Sequence, residues 1–138
     1  MVASADRAVD GEWGTKSHTK CAWSTDIWYK MKFSESYCFD EVVIIQSLLN
    51  NNAYRWQDTQ ILAVDSETGE ETVCGVLRVT DVYQSEYRIP CDACGDMIKL
   101  QVNHPKGGKY RYKGCIHMRE IQVFRKAGSL KCLLANYF

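Results

Sequence analysis

The sequence predicts an all-β protein, an antiparallel β-sandwich or jelly roll of about eight short strands. Apolar residues recur at every second position or in short unbroken runs. Turn-forming clusters separate those runs, and no window of about ten residues carries an i, i+3, i+4, i+7 apolar stripe. At 138 residues the chain can bury a substantial core as one domain, 1–138.

The strands follow in order. "DIWYKMKF" (26–33) alternates, with Ile27, Tyr29, Met31 and Phe33 on one face and Trp28, Lys30 and Lys32 on the other. "EVVIIQ" (41–46) is a continuous apolar run, the pattern of a strand covered on both faces. "TQILAVD" (59–65) and "TVCGVLRV" (72–79) flank the polar turn "SETGE" (66–70) and read as a hairpin. "EYRI" (86–89) is an edge strand stopped by Pro90. "MIKLQV" (97–102) alternates, "HPKGGK" (104–109) is a turn by composition, and "MREIQVF" (118–124) is a further strand before the apolar tail "LKCLLANYF".

Charge excludes some partners. The 17 basic and 17 acidic residues balance, which argues against a nucleic-acid groove or an anionic membrane surface as the main partner while leaving room for a small local basic site. No apolar run approaches the roughly 18 residues of a membrane helix, so no transmembrane segment is expected. The start "MVASADRAVDG" lacks an apolar targeting segment; a secreted protein with this start would be the mature form, or one with a start Met added.

Seven Cys (21, 38, 74, 91, 94, 115 and 132) admit disulfides, a metal site or free thiols. "CDAC" (91–94) has no second Cys/His pair to complete a zinc site, and His18, His104 and His117 stand singly. Disulfides are the preferred reading, which implies a secreted, extracellular protein. The odd Cys is then unpaired or available for an intermolecular bridge in a homo-oligomer.

No G-x-S-x-G, HExxH or P-loop is present, and no Cys and His are spaced as nucleophile and base, so the chain is not expected to be an enzyme. The aromatics are more informative. Trp13, Trp23, Tyr54 and Trp56 lie in stretches that read as loops, where they either cap the ends of the sandwich or form a binding rim. Sugars suit such a rim, since their C–H faces lie on aromatic planes while His, Arg and amides serve their hydroxyls. "NNNAYRWQD" (50–58) holds that mixture. Asp10 and Glu12 are acids of the kind a Ca²⁺ site uses among backbone carbonyls.

Taken together, "AVDG" (8–11), "SHT" (17–19), "WYKMKF" (28–33), "VVIIQ" (42–46), "GDMIKLQV" (95–102) and "REIQVF" (119–124) resemble the discoidin-type galactose-binding fold, and within it the F-type lectin (fucolectin) branch. The likeness spans about residues 8 to 124 in order and spacing. It implies a discoidin-like sandwich that binds glycans or glycoproteins without catalysis. His18 matches the family's sugar-binding His, and Arg55 falls at its second sugar-binding Arg; Trp13, Tyr54 or Trp56 would stack on the sugar. A structural Ca²⁺ is implied at Asp10 and Glu120, with carbonyls near Glu12, Thr15 and Arg119. Cys74 with Cys91 or Cys94 resembles one family bridge, and Cys21 with Cys115 would be a displaced equivalent of another. The family's first sugar-binding Arg would fall near Leu48, where this chain has no Arg. The alternative is a discoidin-like adhesion or matrix module that binds extracellular protein or lipid headgroups without sugar specificity.

Overall fold

The computed structural model describes residues 17–18, 21–46, 50–81 and 84–126. Seven antiparallel strands occur among them: β1 (Ser17–His18), β2 (Ser24–Gln46), β3 (Gln60–Asp65), β4 (Glu70–Val76), β5 (Glu86–Pro90), β6 (Cys94–His104) and β7 (His117–Arg125). A 3-10 helix, Asn50–Trp56, precedes β3.

The segments 26–33 and 41–46 belong to a single strand of 23 residues, β2. Its first part pairs with β6, which continues to β3 and β4. Its second part pairs with β7 on one side and β5 on the other, and β7 carries β1. Register breaks between Lys32 and Tyr37 and between Phe39 and Glu41 mark where it leaves one sheet for the other. Strands that switch sheets through such irregularities form the corners of a sandwich.

The patterning explains the two halves. In the first, Ile27, Tyr29, Met31 and Phe33 are buried while Trp28, Lys30 and Lys32 are exposed. In the second, Val42 to Gln46 are all buried, as a strand covered on both faces requires. The core between the sheets gathers Ile27, Tyr29, Met31, Ile98, Leu100 and Ile61 from one side against Val42, Ile44, Tyr87, Ile121 and Val123 from the other.

Three disulfides tie this framework together. Cys38 and Cys94 face each other across β2 and β6. Cys74–Cys91 links β4 of one sheet to the residue just after β5 of the other, closing the sandwich along its open side. The backbones are so close there that a side chain at Gly75 would lie 2.5 Å from Ile89 Cγ2 and 2.9 Å from the Pro90 carbonyl oxygen. Cys21–Cys115 joins the segment before β2 to the segment before β7. Cys94 therefore pairs with Cys38 and is not the partner of Cys74. Cys132 and the tail lie outside the described residues.

The ends of β2 decide where loops cluster. Ser24 pairs with His104 at the end of β6, and Gln46 pairs with Met118 at the start of β7. Both ends of the long strand thus meet the connection 105–116, at one pole of the sandwich.

Candidate functional site

The connection between β6 and β7 crosses this pole as "PKGGKYRYKGCI" (105–116). A turn at Pro105–Gly108 begins it, with Gly107 at φ 80° and the Gly108 N–H donating to the Pro105 carbonyl at 3.2 Å. Ala22 and Gly114 exchange two backbone hydrogen bonds of 3.0 Å beside the Cys21–Cys115 bridge. Gly114 is required there, because a Cβ would lie 2.7 Å from Val102 Cγ1 and 3.1 Å from the His104 ring.

The other wall comes from the 3-10 helix. The Cys115 N–H donates to the Arg55 carbonyl at 2.9 Å, fastening helix to loop. Gln57 is held by a two-bond clamp to Val79: its Nε2 donates to the Val79 carbonyl at 2.9 Å and its Oε1 accepts from the Val79 N–H at 2.6 Å. Buried His104 lies between the walls, Nδ1 3.1 Å from the Tyr112 carbonyl oxygen and Nε2 2.8 Å from that of Gln57. Helix and loop enclose a cleft of about 470 Å³ lined by Tyr54, Gln57, Lys109, Tyr110, Arg111 and Tyr112.

Asp58 organises the cleft's edge. It adopts a left-handed conformation at φ 62°, one that Asp tolerates better than most residues. Its carboxylate accepts from Tyr110 Oη at 2.8 Å, forms an ion pair with Lys109 Nζ at 3.1 Å, and pairs with Arg78 Nη1. Burial opposes its ionisation, but the bonds from Tyr110, Lys109 and Arg78 outweigh burial and hold its pKa below the ordinary value. Burial, and then Asp58, raise the pKa of the Tyr110 phenol. The Tyr110 ring stacks on His104 at 3.8 Å between centroids. The Tyr112 ring is flanked by two guanidinium groups, Arg55 at 5.6 Å and Arg111 at 5.7 Å.

Beneath the helix lies a layer of buried aromatic groups. Trp56 is fully buried and packs edge-on against Tyr87 at 6.2 Å and tilted against His117 at 5.5 Å. Trp56 Nε1 and Tyr87 Oη are buried without a well-formed hydrogen bond among the described residues. Burial, reinforced by the charge of Asp81, pushes the Tyr87 phenol up to about 12.

The residues expected from the sequence fare differently. Tyr54 lines the cleft and is 37% exposed, in place for stacking. Arg55 stands at the cleft through Tyr112. Trp56 does not: at 0% exposure it belongs to the core and cannot stack on a sugar, which corrects the expectation for this residue. The stretch 50–58 is a 3-10 helix and turn whose successive side chains point differently, so Tyr54 faces out while Trp56 points in. His18 lies in β1, its backbone paired with that of His117 close to the Cys115–Arg55 contact. Glu120 is buried on β7, and Arg119 beside it is half-buried. Asp10, Glu12, Trp13, Thr15 and Leu48 lie outside the described residues.

Lys109, Tyr110, Arg111, Tyr112 and Asp58 escaped the sequence reading. "KYRYK" (109–113) alternates aromatic and basic residues directly after a Gly-Gly turn, a legible signal that begins where the predicted turn 104–109 ends.

No family sequence model matches the chain, and no curated protein matches it by sequence. Solved structures do match. The lectin domain of lectinolysin complexed with Lewis B antigen superposes with a TM-score of 0.70 at 18% identity, over 90% of this chain and 85% of that one. The chain thus has a discoidin-like β-sandwich fold, shared with that lectin domain. A fucolectin from the serum of the striped bass, Morone saxatilis, shares the lectin fold with a TM-score of 0.67 at 17% identity, over 89% of this chain and 41% of the longer one. The family 32 carbohydrate-binding module of C. perfringens NanJ, in complex with galactose, gives 0.64 at 19% identity, over 86% of this chain and 82% of that one.

Proposed function

We propose that the chain is a non-catalytic glycan-binding domain that seats a sugar in the cleft between the 3-10 helix and the connection 105–116. The observation that carries the reading is the lining of this cleft. Tyr54, Tyr110 and Tyr112 provide aromatic surfaces for sugar C–H faces, and Lys109 and Arg111 provide donors for sugar oxygens. Arg55 reaches the cleft through Tyr112, and His18, in β1 at the same pole, is proposed beside it as a hydrogen-bond donor to the sugar. Tyr110 and Tyr112 replace Trp56 as stacking residues. Matches to lectins and carbohydrate-binding modules support the reading at the level of the fold.

A monosaccharide buries little area, so a single site binds weakly and function relies on avidity. Cys132, left over from the three bridges, is the thiol for a homo-oligomer. Three disulfides suit an oxidising compartment, and the domain acts outside the cell.

A structural Ca²⁺ is part of the proposal. Glu120 fits it chemically as one ligand: a buried carboxylate on the strand that pairs with β1 is a hard oxygen donor. Asp10, with carbonyls near Glu12, Thr15 and Arg119, would complete the set, and the ion would brace the loop without touching sugar.

The test is an immobilised glycan screen at high valency with the intact chain and with Tyr110→Ala. Binding to some glycan that drops at least tenfold in the variant is the expected result. Absence of any binding overturns the proposal. Binding of protein or lipid headgroups that survives His18→Ala and Arg55→Ala favours the adhesion-module alternative.

A further inference from the structure

We infer that the glycan taken by this cleft is an acidic one, carrying a carboxylate or sulfate group that pairs with Arg111. The inference rests on the glycan-binding reading above and narrows it. Three observations carry it.

The first is charge placement. The chain as a whole is neutral, yet the stretch 106–113 bears Lys106, Lys109, Arg111 and Lys113 with no acid among them. The carboxylate at the cleft's edge, on Asp58, is held by Arg78, Lys109 and Tyr110 together, so it offers a ligand little free charge. Asp81 acts on Tyr87 below the helix, and no acid is among the residues that line the cleft.

The second is Arg111 itself. Its side chain is exposed, and among the described residues its guanidinium approaches the Tyr112 ring but no carboxylate. A guanidinium braced on an aromatic face keeps its donor fork directed outward, and that fork matches a carboxylate or sulfate with two parallel hydrogen bonds.

The third is the character of the charged groups left to a ligand. Both polar atoms of the Gln57 amide are engaged by Val79, and the Tyr110 hydroxyl gives its proton to Asp58. The tyrosine oxygens of the lining can still accept, but its charged groups, Lys109 and Arg111, are donors only, which favours a ligand bringing acceptor oxygens and negative charge.

The experiment is a glycan array in which each backbone is printed neutral, with a carboxylate sugar, and with a sulfate. It is probed with the intact chain, Arg111→Ala, and Lys30→Ala as an equal charge change on the outer face of β2. Acidic members should bind at least about tenfold more tightly than their neutral parents, Arg111→Ala should lose about tenfold on acidic members alone, and Lys30→Ala should change neither. The carboxylate and sulfate arms tell the two acidic groups apart. Equal binding of neutral and acidic members, or an equal loss on both in Arg111→Ala, overturns the inference and leaves the glycan reading standing. Silence across every glycan overturns both. Displacement of an acidic glycan by a single-stranded DNA oligonucleotide of similar charge at equal concentration would show unspecific polyanion attraction and also overturn it.

Discussion

The Tyr110 ring lies flat on the His104 imidazole, 3.8 Å between centroids and 8° from parallel. His104 is buried and spans the carbonyls of Gln57 and Tyr112, so it belongs to the scaffold of both cleft walls. Tyr110 is therefore a fixed plate, stacked on one side and anchored through its hydroxyl to Asp58. His104→Ala should leave Tyr110 unsupported and weaken glycan binding about as much as Tyr110→Ala, although no contact of His104 with ligand is needed. Binding isotherms for the two variants check this; full affinity in His104→Ala would show that the stack is irrelevant.

Acid should loosen the same edge. Hydrogen bonds depress the Asp58 carboxyl below the ordinary value of 3.8. A depressed acid contributes stability fully present above its unfolded value and lost as pH falls through the folded one. The wild type should be about 1–2 kcal/mol more stable than Asp58→Asn near neutrality, for hydrogen bonds to a charged, partly exposed group. The gap should close in strong acid, well below pH 4. Chemical denaturation of both proteins across that range measures it.

Tyr87 behaves in the opposite sense. Its phenol is pushed up to about 12, and its hydroxyl is buried beside the Gln46 side chain with no well-formed hydrogen bond among the described residues. Removing an unsatisfied buried hydroxyl costs little, so Tyr87→Phe should lie within about 1 kcal/mol of wild type at pH 7. A raised folded value gives stability present below the unfolded value near 10 and lost as pH rises towards the folded one. The wild type should therefore lose stability between about pH 10 and 12 that Tyr87→Phe retains. Alkaline melting curves decide the matter.

Trp56→Ala should cost about 3–5 kcal/mol, the usual range for emptying a large buried aromatic. Urea denaturation would show it, and glycan binding would fall only through unfolding. Loss of binding in a variant with unchanged stability would restore Trp56 to the ligand site.

Replacing Cys21 and Cys115 together by Ser should lower stability by about 2–5 kcal/mol. It should also weaken binding, since without the bridge the end of the loop that bonds the Arg55 carbonyl is no longer tied to the segment before β2. Replacing Cys38 and Cys94 removes a bridge at the other pole, so stability should fall while affinity holds at temperatures where the fold survives. Equal affinity losses in both double variants would contradict this division.

Ca²⁺ has an independent check. A ligand that binds only the folded state raises stability with its concentration. Millimolar Ca²⁺ should raise the melting temperature over chelator, and Glu120→Gln should abolish the difference. An unchanged melting temperature removes the ion from the proposal.

The fold was legible where physics is local. Ile27, Tyr29, Met31 and Phe33 alternate with exposed neighbours, and the turn between β3 and β4 needs only Asp65 and Gly69. That residues 24–46 form one strand was not legible, because Ser34, Glu35 and Ser36 are polar, turn-like residues that fall in the register break between Lys32 and Tyr37. Trp56 was misread for a related reason: nothing in "AYRW" tells which aromatic faces the core, since the helix's rotation is set by tertiary packing. The site's polar network joins Asp58 to Tyr110 across 52 residues of chain. No local pattern encodes that meeting.

The path of β2 gives the molecule a front and a back. Its two ends feed the cleft, while its crossing at Ser34–Ser36 and the exposed turn at Ser66–Gly69, tied to Asp96, occupy the far side. A fluorophore, a tether to a surface or an inserted peptide placed at Glu35 or Thr68 would leave the binding end clear, so this domain can be arrayed side by side with every cleft facing the same way.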